Sequence, residues 1–137
     1  MKVLAIYCDE FGYKPAVKNL EKAEEVTEGA TFNDCIVAFI QIEEDDEAKD
    51  VKSREKKLVN HLKWTARKNN TKHIILHSFA HLSESKSSVD FSKEIFDAAE
   101  VRLKNAEYQT AQTPFGYFLD LNIQAPGFSL ARIWATL

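Results

Sequence analysis

At 137 residues, with 45% hydrophobic and 28% charged side chains, the chain is long enough for one core and has the composition of a folded protein, which excludes wholesale disorder. Its net charge of −3 excludes the basic field of a stand-alone, high-affinity nucleic-acid binder. It does not exclude a domain that receives only the end of an RNA held elsewhere.

Lys2 to Cys8 is apolar on both faces and predicts a central strand. The apolar part is too short for a signal peptide and no small-residue cleavage pattern follows, so the cytoplasm is the expected compartment. The longest apolar run, Cys35 to Ile40, is far below a membrane span. Glu10-Phe11-Gly12-Tyr13-Lys14-Pro15 predicts a bend into an edge-like segment in which Pro15 limits ladder pairing. Val17 to Asn33 predicts loop, with a helical turn at Leu20 to Val26. Cys35 to Ile42 is a second doubly buried strand.

The acidic block Glu43-Glu44-Asp45-Asp46-Glu47 is expected to open a long helix, where negative charge suits the amide-rich N-terminus. Val51, Leu58, Val59, Leu62 and Ala66 fall on one face of that helix, and it ends at Lys68-Asn69-Asn70. Trp64 falls on the opposite face, either as a partly exposed aromatic or as a contact with another subunit or domain. Lys72 to Leu76 predicts a third strand. Ser87-Ser88-Val89-Asp90 has the spacing of a helix cap, and the helix it opens is expected to bury Phe91, Ile95, Ala98, Ala99 and Leu103. Tyr117, Leu119, Leu121 and Ile123 alternate with Phe118, Asp120, Asn122 and Gln124 and predict a half-buried strand. Pro126-Gly127 turns the chain, and Leu130 to Trp134 forms a last strand or short helix. Strands and helices do not alternate strictly, so the expected architecture is a single α+β domain over 1–137, a mixed-sheet sandwich with two main helices.

Cys8 and Cys35 lie inside apolar runs and read as buried free thiols. No Cys-x-x-Cys or His-x-x-x-His spacing is present, so neither a metal nor another cofactor is expected. Among the histidines, His61 and His73 read as surface or boundary residues. His77 ends a strand and faces solvent or a carbonyl. His81 follows a strand end, between Ala80 and Leu82, where an imidazole either orients a water or hydroxyl or pins its own loop. The small Ala80 lets a ligand approach the main chain, as Gly116 does in Thr113-Pro114-Phe115-Gly116-Tyr117, and Pro114 stiffens that approach. Phe115 and Tyr117 offer rings for stacking on a base, or else plug a turn. No Gly-x-Ser-x-Gly, P-loop or dinucleotide fingerprint is present.

Phe79-Ala80-His81-Leu82-Ser83 and Pro114-Phe115-Gly116-Tyr117 resemble, in that order, the N-terminal editing domain of archaeal threonyl-tRNA synthetases. The likeness extends to the first strand ending in Asp9, the Val37-Ala38-Phe39-Ile40 strand running to Ile42-Glu43, and the Gly127 turn before Leu130-Ala131. It implies a D-aminoacyl-tRNA deacylase-like fold, a homodimer without metal, and hydrolysis of serine mischarged onto threonine tRNA. A synthetase catalytic core, in the same or another chain, is the implied partner alongside the aminoacylated tRNA 3′ end. A water would attack the ester carbonyl, assisted by the neighbouring ribose hydroxyl, with the protein supplying orientation and backbone hydrogen bonds.

His81 is the implied positioning group. The substrate is implied to contact Ile42, Glu43, Phe79, Ala80, Pro114, Phe115, Gly116, Tyr117 and Leu119, with Ile42, Ala80 and the Gly116 backbone excluding the threonine methyl. The chain departs from the family where Leu119 stands for a lysine, Arg132 for a glutamate, and Tyr7-Cys8 for His-Ser. Two other readings fit the same resemblance: a D-aminoacyl-tRNA deacylase, and a non-catalytic paralogue serving dimerisation or tRNA-end binding.

Overall fold

The computed structural model describes all 137 residues. Six strands form one mixed sheet: β1 (Lys2–Lys18), β2 (Ala30–Gln41), β3 (His73–Ser78), β4 (Gln109–Gln112), β5 (Tyr117–Gln124) and β6 (Arg132–Thr136). Their order is β4-β3-β2-β1-β5, with β6 also paired to β1. β2, β3 and β4 are parallel, and β1 is antiparallel to β2, β5 and β6. Helices α1 (Val51–Lys68) and α2 (Val89–Asn105) provide the β2–β3 and β3–β4 crossovers. The expected α+β class with two main helices is the one observed.

Both helices cover the same face of the sheet. Val3, Ala5, Ile36, Ala38, Ile40, Ile74 and Leu76 meet Leu58, Val59, Leu62 and Ala66 of α1 and Ile95, Phe96, Ala99 and Leu103 of α2. The other face holds a smaller cluster of Cys8, Phe11, Cys35, Val37, Phe39 and Ile75. Cys8 and Cys35 are paired across the strands as buried free thiols, and burial pushes them up to about 11 and about 12.

The predicted bend at Glu10–Pro15 is absent. β1 runs on for 17 residues because this segment gains a ladder on each side, with β2 and with β5. Pro15 does disturb the pairing, through a register shift against β5 between Pro15 and Val17. The irregularity in β1 falls earlier, where the Asp9–Asp34 pair drops out of the ladder and Asp34 takes a left-handed φ of 50°. Side-chain alternation reverses there, so Leu4, Ile6 and Cys8 share a cluster with Phe11 and Tyr13.

Residues 19–29 are loop, and a single turn closed by Ala23 N–H donating to Leu20 O replaces the predicted helical turn. The acidic block does not open α1. Glu44–Ala48 forms its own short 3₁₀ helix, and Asp50 caps α1 by accepting from Ser53 N. Asp46 is consumed there, buried beneath the Arg54 guanidinium at 2.9 Å. Ser88 rather than Ser87 caps α2. β4, which the sequence did not announce, is a four-residue polar strand held by parallel pairing to β3. Leu130–Trp134 divides into a 3₁₀ turn (Ser129–Ala131) and the start of β6.

Phe96 and Trp64 separate burial from exposure on the two helices. Phe96 is 1% exposed in the centre of the core, whereas Trp64 is 40% exposed. Phe96→Ala is expected to destabilise the chain by about 3–5 kcal/mol, and Trp64→Ala by under about 1 kcal/mol, in urea titrations with an unchanged m-value. Equal costs would contradict this packing.

Candidate functional site

The parallel strands β2 and β3 both end at one edge of the sheet, and β4 stops beside them. A cleft of about 420 Å³ opens there, lined by Ile40–Ile42, His77–His81, Pro114–Tyr117 and Leu119, with Asn19, Leu20, Lys86, Ser87 and Phe96 around them. Every residue expected at the site lies in its wall except Glu43. Glu43 stands alongside, accepting from Ser83 Oγ at 2.7 Å and from the Met1 nitrogen at 2.7 Å, and the ammonium beside it holds its carboxyl below the usual range. No carboxylate lines the cleft, and Lys86 is its one lysine.

The loop after β3 is held by a side chain the sequence reading passed over. Gln41 is 4% exposed at the end of β2. Its Oε1 accepts from Leu82 N (2.6 Å) and Ser83 N (2.8 Å), and its Nε2 donates to Ser83 O (2.8 Å) and Ser85 O (3.0 Å). With all its hydrogen-bonding capacity used, Gln41 fixes the loop as a unit. The amide N–H groups of Ala80 and His81 are left without protein partners, at exposed positions in the cleft wall. His81 is exposed, has no protein hydrogen bond and packs edge-on to Phe79, with ring centres 5.0 Å apart. It does not pin its own loop; Gln41 does that.

The second motif is joined to the first by His77. This residue meets neither solvent nor a carbonyl, the two expected surroundings: it is 5% exposed, with Phe39 edge-on to its ring. His77 Nδ1 lies 2.8 Å from the hydroxyl of buried Thr113, which ties the end of β3 to the residue before Pro114. Thr113 N also donates to Leu76 O. The sequence signal for this link was a polar residue ending each of two adjacent strands, visible only once β4 is known.

Gly116 has a φ of +88°, and a Cβ there would sit 2.8 Å from Ala23 Cβ. The glycine therefore serves the turn and its contact with the 19–29 loop, whose Asn19 and Leu20 amides donate to Gly116 O. Phe115 packs edge-on to Phe96 and acts as the plug of this turn. The Tyr117 hydroxyl accepts from Val26 N and donates to Glu24 O, both at 3.1 Å. Leu119 contributes an apolar wall. Arg132 is absent from the cleft lining and donates to Pro126 O at 2.6 Å.

Burial holds the His77 imidazole down at about 4. The unfolded chain takes up that proton near pH 6.5, so this contribution to stability is complete above 6.5 and is lost as the pH falls toward 4. The loss is on the order of 3 kcal/mol. Urea midpoints between pH 7 and pH 4 are expected to fall, and His77→Gln is expected to flatten that slope. A slope unchanged by His77→Gln would remove His77 as its source.

Residues 1–137 match the family model described as the Archaea-specific editing domain of threonyl-tRNA synthetase. The chain is 29% identical over 140 residues to a threonine–tRNA ligase of Thermococcus sibiricus, covering 100% of the chain and 22% of the ligase. It is 31% identical over 135 residues to that of Methanococcus maripaludis, covering 97% of the chain and 21% of the ligase. It thus spans about a fifth of the length of the curated relatives it matches. The fold is similar to a solved structure titled c-Myc DNA Unwinding Element Binding Protein, with a TM-score of 0.70, 13% identity, and coverage of 100% of this chain and 99% of that one. With the family model matched from end to end, the chain belongs to the archaeal threonyl-tRNA synthetase editing-domain family.

Proposed function

We propose that the 137 residues form one editing domain that hydrolyses the ester of L-serine mischarged onto threonine tRNA. The observation that carries this reading is the pair of unpartnered amides, Ala80 N–H and His81 N–H, in a cleft wall that contains no carboxylate. Such a site has no side-chain carboxylate to serve as a general base. It offers unpartnered main-chain donors to a developing oxyanion and an imidazole to orient a water, which suits a substrate that brings its own assisting hydroxyl. The terminal ribose of tRNA is such a substrate.

Selectivity follows from size. A hydrophobic contact distinguishes a methyl by only about 1–3 kcal/mol, so a second site that admits serine and turns threonine away is useful. Ile42, Ala80 and the Gly116 turn form that wall in this reading, and Phe79 backs it. Wild-type chain is expected to deacylate L-seryl-tRNA(Thr) well above spontaneous hydrolysis and to spare L-threonyl-tRNA(Thr). Ala80→Val is expected to lower kcat/KM at least ~10-fold by displacing the ester. A rate no faster than spontaneous hydrolysis would end the proposal, and faster turnover of D-aminoacyl esters would redirect it to a D-aminoacyl-tRNA deacylase.

We further propose that the domain works as a homodimer beside a synthetase core, in its own or another chain. Trp134 lies across from Leu4 and Ile123 across from Phe11, which places both on the helix-free face of the sheet. They are 52% and 40% exposed, at the border of an already apolar cluster, as a surface awaiting a partner would be. Ile123→Glu with Trp134→Glu is expected to convert a dimer to a monomer in sedimentation velocity. A wild-type monomer at high micromolar concentration would refute the dimer.

A further inference from the structure

The outer face of α1 is a continuous cationic track. At 3.6 residues per turn, Lys52, Lys63, Lys56 and Arg67 fall within about 60° of one another, and Trp64, Lys57 and Lys68 extend the arc to about 160°. All are exposed except Lys63, which is half-buried, and none is in an ion pair. The remaining arc carries Leu58, Leu62, Ala66 and Val59 into the core, and Val59 adjoins Lys52 at its border. The helix's one carboxylate, Glu55, is buried and bonded to Arg102 of α2. Six cations on one face, within a total charge of −3, leave everything outside that face at −9. The neutral-to-acidic composition therefore conceals a local field of the opposite sign.

We propose that this face of α1 is the docking surface for the phosphodiester backbone of the RNA whose 3′ end enters the cleft. The proposal rests on the editing reading for the identity of that RNA. α1 is the crossover between parallel β2 and β3, so it runs antiparallel to them. Its first turn consequently lies at the edge of the sheet where the cleft opens, and its 18 residues extend about 27 Å away from it. That length is a little under one turn of a nucleic-acid duplex. The exposed carboxylates of Glu44 and Asp45 precede the helix, so the track begins at Lys52 and not at the cleft itself.

The chemistry selects among polyanions. A membrane surface is disfavoured because the apolar side of α1 is spent in the core, leaving no side to insert. A protein partner is disfavoured because lysine is depleted from protein–protein interfaces, and Trp64 is the one large apolar group on the face. Phosphate oxygens need what is present: several mobile ammonium groups in a row, positioning the duplex without reading its sequence.

The test measures binding, not hydrolysis. A fluorescent RNA hairpin with a base-paired stem and a single-stranded 3′ end, bearing no amino acid, is titrated with the wild-type chain and with Lys52→Gln/Lys56→Gln/Lys63→Gln/Arg67→Gln across a salt series. Lys52, Lys56 and Arg67 are exposed and Lys63 is half-buried, so an unchanged circular dichroism spectrum and Tm check the fold. The variant is expected to bind at least ~10-fold more weakly at about 0.1 M salt, and its slope of log Kd against log salt is expected to be smaller by about 3. Equal affinity and slope in the two proteins, or no RNA binding by wild type at low salt, would overturn the proposal. So would a wild-type preference for a polyglutamate peptide over the hairpin, which would assign the face to a protein. Because the hairpin carries no ester, a chain that binds through α1 without deacylating keeps this surface and loses the proposed activity. A chain that deacylates with an unaltered salt slope keeps the activity and loses the surface.

Discussion

The site depends on three parallel strands being stopped at the same edge and on the loops beyond them being unable to drift. Parallel pairing of β2, β3 and β4 aligns the strand ends, but alignment alone leaves the following loops free. Two polar links at the strand ends remove that freedom. Gln41 closes four hydrogen bonds around Leu82 to Ser85, and His77 meets Thr113. Each link is buried, and a buried hydrogen-bonding group left without its partner costs about 1–3 kcal/mol. The low-dielectric surroundings thus turn ordinary hydrogen bonds into geometric constraints. Burial in the Phe39–Phe79 aromatic cluster opposes the charged form of His77, so a neutral imidazole makes this link.

Electrostatically the molecule is divided. The cleft holds Lys86 and no carboxylate, Glu43 beside it is paired with the Met1 nitrogen and accepts from Ser83, and six cations share one face of α1. The cleft and the cationic face are thus separate features, the first lined by backbone, apolar and neutral polar groups beside one lysine and the second by exposed cations. Charge on the exposed helix face is screened by salt, whereas the buried groups around the cleft are screened much less.

Much of this was legible in the sequence where side chains report their own environment. The apolar runs of β1, β2 and β3, the face of α1 carrying Leu58 and Leu62, and the two loop motifs were recoverable because burial patterns are local. Gln41 and Thr113 were not, since a polar residue closing an apolar strand looks the same whether it meets solvent or staples a loop. β4 was missed because Gln109-Thr110-Ala111-Gln112 has no apolar alternation, and its strand character comes from β3 alone. The bend expected over Glu10 to Pro15 failed for the converse reason: two flanking ladders overrode local propensity. The net charge misled through averaging, because −3 is the sum of a cationic helix face and an acidic remainder.

The departures at Leu119 and Arg132 have different structural meanings. Leu119 lies in the cleft wall, where it presents an apolar surface in place of the lysine that the family resemblance implies. Arg132 lies outside the cleft lining, with its guanidinium committed to the Pro126 carbonyl. The reversal of sign there leaves no unpaired charge in the cleft, and nothing about Arg132 compensates for Leu119. Lys86 is the ammonium that remains, but it enters from the loop before α2 and not from β5. The unpartnered amides of Ala80 and His81 belong to the main chain just before Leu82 and Ser83, whose amides Gln41 holds, and involve neither Leu119 nor Arg132.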